Sequence, residues 1–367
     1  MILARKNIKK FQPYVPGKPM EEVKREYKIK TVIKLASNEN PLGPSPDAVR
    51  AASKILKYSH IYPDGYCFAL RKKIAELYSV SGNQIIFGNG TDEIIELAGK
   101  AFLNSSDDII VSKHAFIRYK MAGDLMGCKV IQIPMKGYTH NLAVMASAVT
   151  KRTKIVFITN PNNPTGTYNS KSELDKYFRI LAAGGYDPLT FIDEAYAEYV
   201  AEKDYPLGLE YLNKGRRVIF TRTFSKMYGL AGLRIGYGVG NSDIIEDIER
   251  IRPPFNVSTV AQTAAIAALG DKKHFQRSRS LVIKQKEYLC SAFDRLGLEY
   301  VKTSANFILV NVGMSGNDVF KGLLKKGIIV RPMAEYGYIN FIRVTIGTEA
   351  QNKKFIREIE RILKSSS

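Results

Sequence analysis

Residues 221–238 read T-R-T-F-S-K-M-Y-G-L-A-G-L-R-I-G-Y-G, and this stretch organises the chain. It opens from an apolar, β-branched run, Val218 to Thr221, of the kind that forms a buried strand. It then breaks into Ser225-Lys226 and a glycine series, Gly229, Gly232, Gly236 and Gly238. A lysine at the C-terminal end of a strand, in a glycine-rich bend, is placed to reach a ligand. Arg234 follows eight positions later, where the chain turns into a further apolar strand. Two cations so close point to an anion between them. A basic surface loop is the plain alternative, and Lys226 alone would leave that alternative ahead.

Strands and helices alternate around this stretch. Gln84–Phe87, Asp108–Val111, Lys129–Ile133, Lys154–Thr159, Leu189–Asp193 and Arg217–Thr221 read as strands. Helical patterns over Thr91–Leu103, Phe116–Met126, Leu142–Val149 and Ser170–Ala183 separate them, the last opened by a Ser170/Glu173 capping box. This order predicts a mostly parallel sheet covered on both faces. After Pro253-Pro254 the pattern changes to two long helices, Ser258–Leu269 and Lys272–Leu296. Strands at Glu299–Lys302, Phe307–Val310, Ile328–Arg331 and Phe341–Val344 follow, with helices over Asn317–Lys326 and Glu349–Leu363. Upstream, Pro13, Pro16 and Pro19 exclude a helix until about Glu21. A short strand, Thr31–Leu35, and helices over Pro46–Lys57 and Cys67–Tyr78 complete the reading. The expected division is an arm over 1–40, a large domain over 41–255 and a small C-terminal α/β domain over 256–367.

Composition limits the function classes. The 367 residues are 45% apolar and 25% charged, which is globular. No apolar run approaches the ~20 residues of a membrane span, and the N-terminus lacks a secretory pattern. Cys67, Cys128 and Cys290 are few and far apart, as in a reducing cytoplasm, and neither they nor the four histidines have metal-ligand spacing. The net charge of +20 is spread along the chain without a basic run. The plain reading, a basic proteome or general solubility, is therefore favoured over nucleic acid, and a positive field would also attract anionic small substrates.

Three further groups share the strand-end position of Lys226. Gly88-Asn89-Gly90-Thr91-Asp92 opens a helix after a strand, which makes a phosphate site or a plain capped turn. Asn160-Pro161-Asn162-Asn163-Pro164 is a stiff loop after a buried strand. Asp193-Glu194-Ala195-Tyr196 ends another strand, where ligands of open α/β sheets bind. A phosphate pocket, a reactive lysine and an aspartate facing a ring nitrogen are together what pyridoxal phosphate requires.

With these groups in view, the chain resembles the aspartate-aminotransferase-like, fold type I pyridoxal-phosphate enzymes, and among them the histidinol-phosphate aminotransferases. The resemblance covers nearly the whole chain. It rests on A-R-K-N-I (4–8), P-Y-V-P-G-K-P (13–19), K-L-A-S-N-E-N-P-L-G-P-S (34–45), Y-P-D-G (62–65), N-G-T-D-E (89–93), N-P-N-N-P-T-G (160–166), D-E-A-Y (193–196), R-T-F-S-K (222–226) and G-L-A-G-L-R-I-G (229–236). It implies a seven-stranded-type, mostly parallel sheet between helices in the large, cofactor-binding domain. The arm would pack on the small domain and on a partner subunit.

By the same resemblance, Lys226 is expected to hold pyridoxal 5'-phosphate as a Schiff base, and Asp193 to pair with its ring nitrogen. Tyr196 and Asn163 are expected at the ring oxygen, and Gly90, Thr91, Asp92, Ser225 and Arg234 at the phosphate. Phe116 is expected to stack on the ring, with Tyr119 as its rival. Tyr14, Asn38, Asn163, Arg331 and Arg343 match substrate positions, and Tyr62 matches one supplied by a partner, which implies a homodimer with shared sites. The implied reaction is transamination between L-histidinol phosphate and 2-oxoglutarate in histidine biosynthesis. Preference for Phe and Tyr, or decarboxylation of threonine phosphate, are the alternatives.

Overall fold

The computed structural model describes residues 3–14 and 16–365. Of the expected arm and C-terminal domain, Met1, Ile2, Val15, Ser366 and Ser367 lie outside the described residues. The strands are β1 (Ile33–Lys34), β2 (Ile85–Gly88), β3 (Asp108–Ser112), β4 (Lys129–Ile133), β5 (Thr153–Thr159), β6 (Leu189–Asp193), β7 (Val218–Thr223) and β8 (Gly236–Gly240). Then come β9 (Tyr300–Val301), β10 (Phe307–Asn311), β11 (Ile328–Ile329), β12 (Arg331–Pro332) and β13 (Phe341–Thr345).

Seven strands form the large sheet in the order β2-β8-β7-β6-β5-β3-β4. Only β8 runs antiparallel to its neighbours, β2 and β7. The alternation of strand side chains assigns their two faces. Phe87, Val156, Ile158, Ile192 and Phe220 pack in one core, while Ile86, Ile155, Phe157, Phe191 and Ile219 pack in another. Both sets are buried, which explains why these strands read as continuous apolar runs. Each such side chain contributes about 1.5–3 kcal/mol by leaving water. Helices Thr91–Phe102, Ile117–Met126 and Lys171–Ala183 lie close to their expected bounds, and Ser170 with Glu173 forms the capping box.

A second sheet, β12-β13-β10-β9, is antiparallel and has its own core of Phe307, Ile308, Val310, Ile342 and Val344. The long helix Lys272–Arg295 packs on this core through Val282, Leu289 and Phe293. The expected strand Ile328–Arg331 is divided: Ile328–Ile329 pair in parallel with β1, whereas Arg331–Pro332 pair with β13. The N-terminal segment is thereby tied to C-terminal elements, and Val23, Val32 and Ala36 pack with Leu324 and Ile329.

Two helices are absent from the sequence expectation, Gly208–Asn213 and Ser242–Glu249. Neither has a side-chain cap. The first is anchored from a distance, by the Gly208 N–H donating to the Glu194 carboxylate at 2.5 Å. The second follows Asn241, whose Oδ1 accepts from the Val218 N–H at 2.9 Å instead of capping. Among the described residues, no helix is long and apolar enough to cross a membrane.

The 221–238 stretch is locked against the segment after β1 at Gly229. Its φ is +69°, and a Cβ there would lie 2.3 Å from the Gly43 carbonyl oxygen. Gly43 also has positive φ, but a Cβ on it would meet nothing within 4 Å. Gly229→Ala should therefore destabilise the fold by about 2–3 kcal/mol, against about 1 kcal/mol for Gly43→Ala. Denaturant unfolding of the two variants checks this difference, and equal losses would contradict it.

Candidate active site

The C-terminal ends of β5, β6 and β7 and the start of helix Thr91–Phe102 converge on a cavity of about 490 Å³. Lys226 and Asp193 lie on its wall, as do Tyr196 and Asn163. Gly90, Thr91, Asp92, Ser225 and Arg234 line one end, and Tyr14, Asn38, Arg331 and Arg343 line another part. The structure thus brings together every expected site residue but Tyr62. That tyrosine is 79% exposed and stacks on Phe255, with ring centroids 4.8 Å apart.

Asp193 ends β6 and is buried. Burial pushes its carboxyl up to about 6, although three donors favour the ionised form. These are the Tyr119 hydroxyl at 2.7 Å, the Ala195 N–H at 3.1 Å and the Thr221 hydroxyl at 3.3 Å. Lys226 follows the end of β7, half-buried, and its Nζ donates to the Ser37 carbonyl at 2.8 Å. Loss of hydration, with the Arg343 charge as the next largest cause, brings its ammonium down to about 8. The ammonium lies 5.9 Å from the centroid of the Tyr196 ring. Burial raises the Tyr196 phenol to about 12, so it stays a neutral donor, and its oxygen accepts from Asn38 Nδ2 at 3.0 Å.

The glycine at 90 leaves room for an anion. Gly90 has φ +76°, and a Cβ on it would sit 2.4 Å from Arg234 Nη2. It starts helix Thr91–Phe102 without a side-chain cap, so the dipole and first-turn N–H groups remain available. Arg234, itself at φ +54°, donates to Ser225 Oγ at 3.4 Å and lies 3.7 Å from the Asp92 carboxylate. This end of the cavity suits a phosphate dianion.

Arg331 and Arg343 face each other across the β12/β13 ladder. Like charges in directly opposed positions repel. Arg331 is ion-paired with Glu335 and lies 5.7 Å from the Tyr14 ring. Arg343 is buried without a carboxylate partner among the described residues. It donates to Asn163 Oδ1 at 2.5 Å and to the Ala36 carbonyl at 2.6 Å, while its Nε has no partner. Burial lowers its affinity for a proton. A guanidinium in this state suits a carboxylate or phosphate that enters from the cavity.

Phe116 and Tyr119, the two candidates for the ring face, both line the cavity, with their rings edge-on and the centroids 5.8 Å apart. The Tyr119 ring is stacked on Phe157 at 5.2 Å and its hydroxyl is taken by Asp193. Among the lining residues that escaped the sequence reading as site groups are Ser37, Glu39, Arg118, Thr159 and Tyr336. Ser37 and Glu39 flank Asn38 in the 34–45 motif, a signal that was available. Arg118, on the helix after β3, had none.

The aminotransferase class I and II family model matches residues 30–359. The chain belongs to the class I and II aminotransferases. It is 48% identical over 360 residues to a histidinol-phosphate aminotransferase of Moorella thermoacetica, covering 98% of this chain and 92% of that protein. A histidinol-phosphate aminotransferase 1 of Nitrosococcus oceani is 44% identical, with 98% and 97% covered. Among solved structures, a histidinol-phosphate aminotransferase from Sinorhizobium meliloti in complex with pyridoxal-5'-phosphate superposes with a TM-score of 0.90 at 22% identity, over 100% of this chain and 99% of that one. An aspartate aminotransferase from Thermus thermophilus with maleate gives 0.83 at 20%, over 99% and 100%. These likenesses place the aminotransferase in the fold type I architecture.

The electrostatics of this aminotransferase cavity make a direct prediction. In the cofactor-free protein, site-resolved reductive methylation of Lys226 should rise with pH through a midpoint near 8. In Arg343→Gln the midpoint should move up, because removing a neighbouring cation favours the ammonium. An unchanged or lower midpoint would show that Arg343 does not act on Lys226.

Proposed function

We propose that this aminotransferase transfers an amino group between L-histidinol phosphate and 2-oxoglutarate, giving imidazole-acetol phosphate and glutamate, with pyridoxal 5'-phosphate as cofactor. The observation that carries the reading is one cavity holding a half-buried amine brought to about 8 beside a buried carboxylate at about 6. Relatives named for this activity, 48% and 44% identical over 98% of the chain, supply the substrate.

The residues fit the cofactor. The space a Cβ at Gly90 would fill and the uncapped helix start behind it suit a phosphate, with Thr91, Asp92, Ser225 and Arg234 around it. We assign the aldehyde to Lys226, the ring nitrogen to Asp193, the ring oxygen to Tyr196 and Asn163, and a ring face to Phe116. When bound, the cofactor supplies an electron sink for the carbanion left by loss of a Cα proton.

The chain's own groups do the rest. Ionised Asp193 holds the proton on the ring nitrogen. The Lys226 amine, largely deprotonated above pH 8, accepts the substrate's Cα proton and later returns it. Arg343 binds the carboxylate of glutamate or 2-oxoglutarate. Arg331, with Tyr14 and Asn38, binds the phosphate of the other substrate, for which the Glu335 carboxylate is a stand-in anion. We read residues 41–255 as the cofactor-binding domain, 256–367 as the small domain and 1–40 as the arm. The free cysteines accord with a cytoplasmic setting.

We infer a homodimer as well. Ile61, Tyr62, Tyr66 and Phe68 are 57%, 79%, 74% and 71% exposed. A cluster of large apolar side chains in the open marks an interaction surface. A second copy would cover this face, and Tyr62 would reach the partner's cavity.

Two experiments test this reading. Loaded wild-type protein mixed with histidinol phosphate should lose the absorbance of the lysine-bound cofactor, and regain it on addition of 2-oxoglutarate. Lys226→Ala should lower turnover by more than about 10³-fold. Conversion by Phe and Tyr alone would overturn the substrate assignment, and release of CO₂ from threonine phosphate would overturn the reaction. For the dimer, Lys226→Ala and Tyr62→Ala are each weak alone, but their co-expressed mixture should recover activity. In the mixed dimer one site keeps both groups. No recovery in a verified mixed dimer would refute the shared site.

A further inference from the structure

The carboxylate of Asp193 is held by a chain of buried groups, of which Tyr119 and Thr159 also line the cavity. Tyr119 lies on helix Ile117–Met126, is buried, and donates its hydroxyl to Asp193 Oδ2 at 2.7 Å. The Thr159 hydroxyl at the end of β5 is hydrogen-bonded to the same phenol oxygen. A carboxylate can only accept, so the single phenol proton belongs to Asp193, and Thr159 must donate to Tyr119. The Thr159 carbonyl accepts from His140 Nε2 at 2.9 Å, which leaves His140 Nδ1 to accept from Ser112 Oγ at 2.5 Å. All five side chains are buried. Every proton in the run has one consistent direction, and it ends on Asp193.

We propose that Tyr119 is a positioning residue of the transamination reaction, which fixes Asp193 as an oriented, ionised acceptor for the cofactor's ring N–H. The proposal rests on the cofactor assignment made under the proposed function. The stack of Tyr119 on Phe157 and its edge contact with Phe116 set the phenol's direction. The groups bearing on Asp193 from the surrounding elements are Asp92 from helix Thr91–Phe102, Thr221 from β7, Tyr196 beyond β6 and Lys226 across the cavity. Asp92 works against ionisation, and the Tyr119 and Thr221 hydroxyls and the Ala195 N–H favour it. His140, brought down to about 4 by burial, stays neutral throughout the working range and cannot reverse the run. Tyr119 itself stays protonated, since burial beside Asp193 raises its phenol well above the usual range.

The sign follows from the bond. Loss of a donor to the ionised carboxylate raises the Asp193 pKa, so the neutral acid persists to higher pH and the ring nitrogen is protonated less. Tyr119→Phe keeps both ring contacts and removes only the hydroxyl. In cofactor-loaded protein without substrate, the pH midpoint of the bound cofactor's absorbance should rise by about 1–2 units. The acid limb of the kcat/KM profile should rise with it, and kcat/KM at neutral pH should fall by about tenfold or more. Thr159→Val should shift the midpoint in the same direction by less, and it decides the matter should Tyr119→Phe fail to fold. In an Asp193→Asn background, Tyr119→Phe should move the midpoint no further. An unmoved midpoint, or the same shift without the Asp193 carboxylate, would overturn the proposal. Failure of the substrate assignment shows separately, as wild-type protein that histidinol phosphate does not convert while the substrate-free titration still reports on Tyr119.

Discussion

Burial drives an acid and a base toward neutrality together, and one cavity of this protein holds both. The Asp193 carboxyl rises to about 6 and the Lys226 ammonium falls to about 8, each chiefly because charge is poorly hydrated there. A pair left in water would be separated by more than six pH units. Brought this close to neutrality, the amine can accept and release a proton at working pH, while hydroxyl and N–H donors keep the carboxylate ionised. The rest of the architecture supplies that environment. β6 and β7 are parallel neighbours with Asp193 beside Thr221, so the chain needs only five more residues to bring Lys226 to the same edge. β8 then returns antiparallel against β7 and carries the chain from Arg234 back through the sheet.

The large sheet was legible because its strands are buried on both faces and separated by periodic helices. Leu189–Asp193 and Lys129–Ile133 needed no correction, and the Ser170/Glu173 box is a local device whose partners are three residues apart. Helices Gly208–Asn213 and Ser242–Glu249 were not legible, because what starts them is distant in sequence. Glu194 accepts from Gly208, and Asn241 serves β7 instead of its own helix. The division of Ile328–Arg331 between two sheets has the same origin: Ile328 and Ile329 find partners on β1 and Arg331 on β13, strands more than 300 residues apart in the chain.

In the cavity, the residues that sequence brought forward carry their chemistry in the side chain and stand at strand ends. Asp193 and Lys226 are of this kind, while Gly90 is marked by the side chain it lacks. Two of those it left out act through the backbone or through another residue. Ser37 contributes a carbonyl oxygen to Lys226, and Thr159 contributes a hydroxyl to Tyr119 and a carbonyl to His140. No residue type advertises a carbonyl. Tyr119 was seen as an aromatic ring three residues from Phe116, and only the packed structure turns its hydroxyl toward Asp193.

The small sheet shows why an anion belongs in this cavity at all. Opposing Arg331 and Arg343 on adjacent antiparallel strands is a choice that sheet stability alone disfavours. Burial increases the cost, because Arg343 gives up water for two neutral oxygens and an Nε with no partner. Glu335 relieves Arg331 from the rim, but no carboxylate among the described residues does so for Arg343. Local consistency is usually broken at functional sites and compensated elsewhere. Here the compensation available is a ligand: a carboxylate at Arg343 would meet its charge and shield Lys226 from it. Entry of an anionic substrate would then offset one of the influences that depress the lysine, raising its basicity as the Cα proton comes within reach. Recognition of the substrate's charge and activation of the base would in this way be coupled through a single guanidinium.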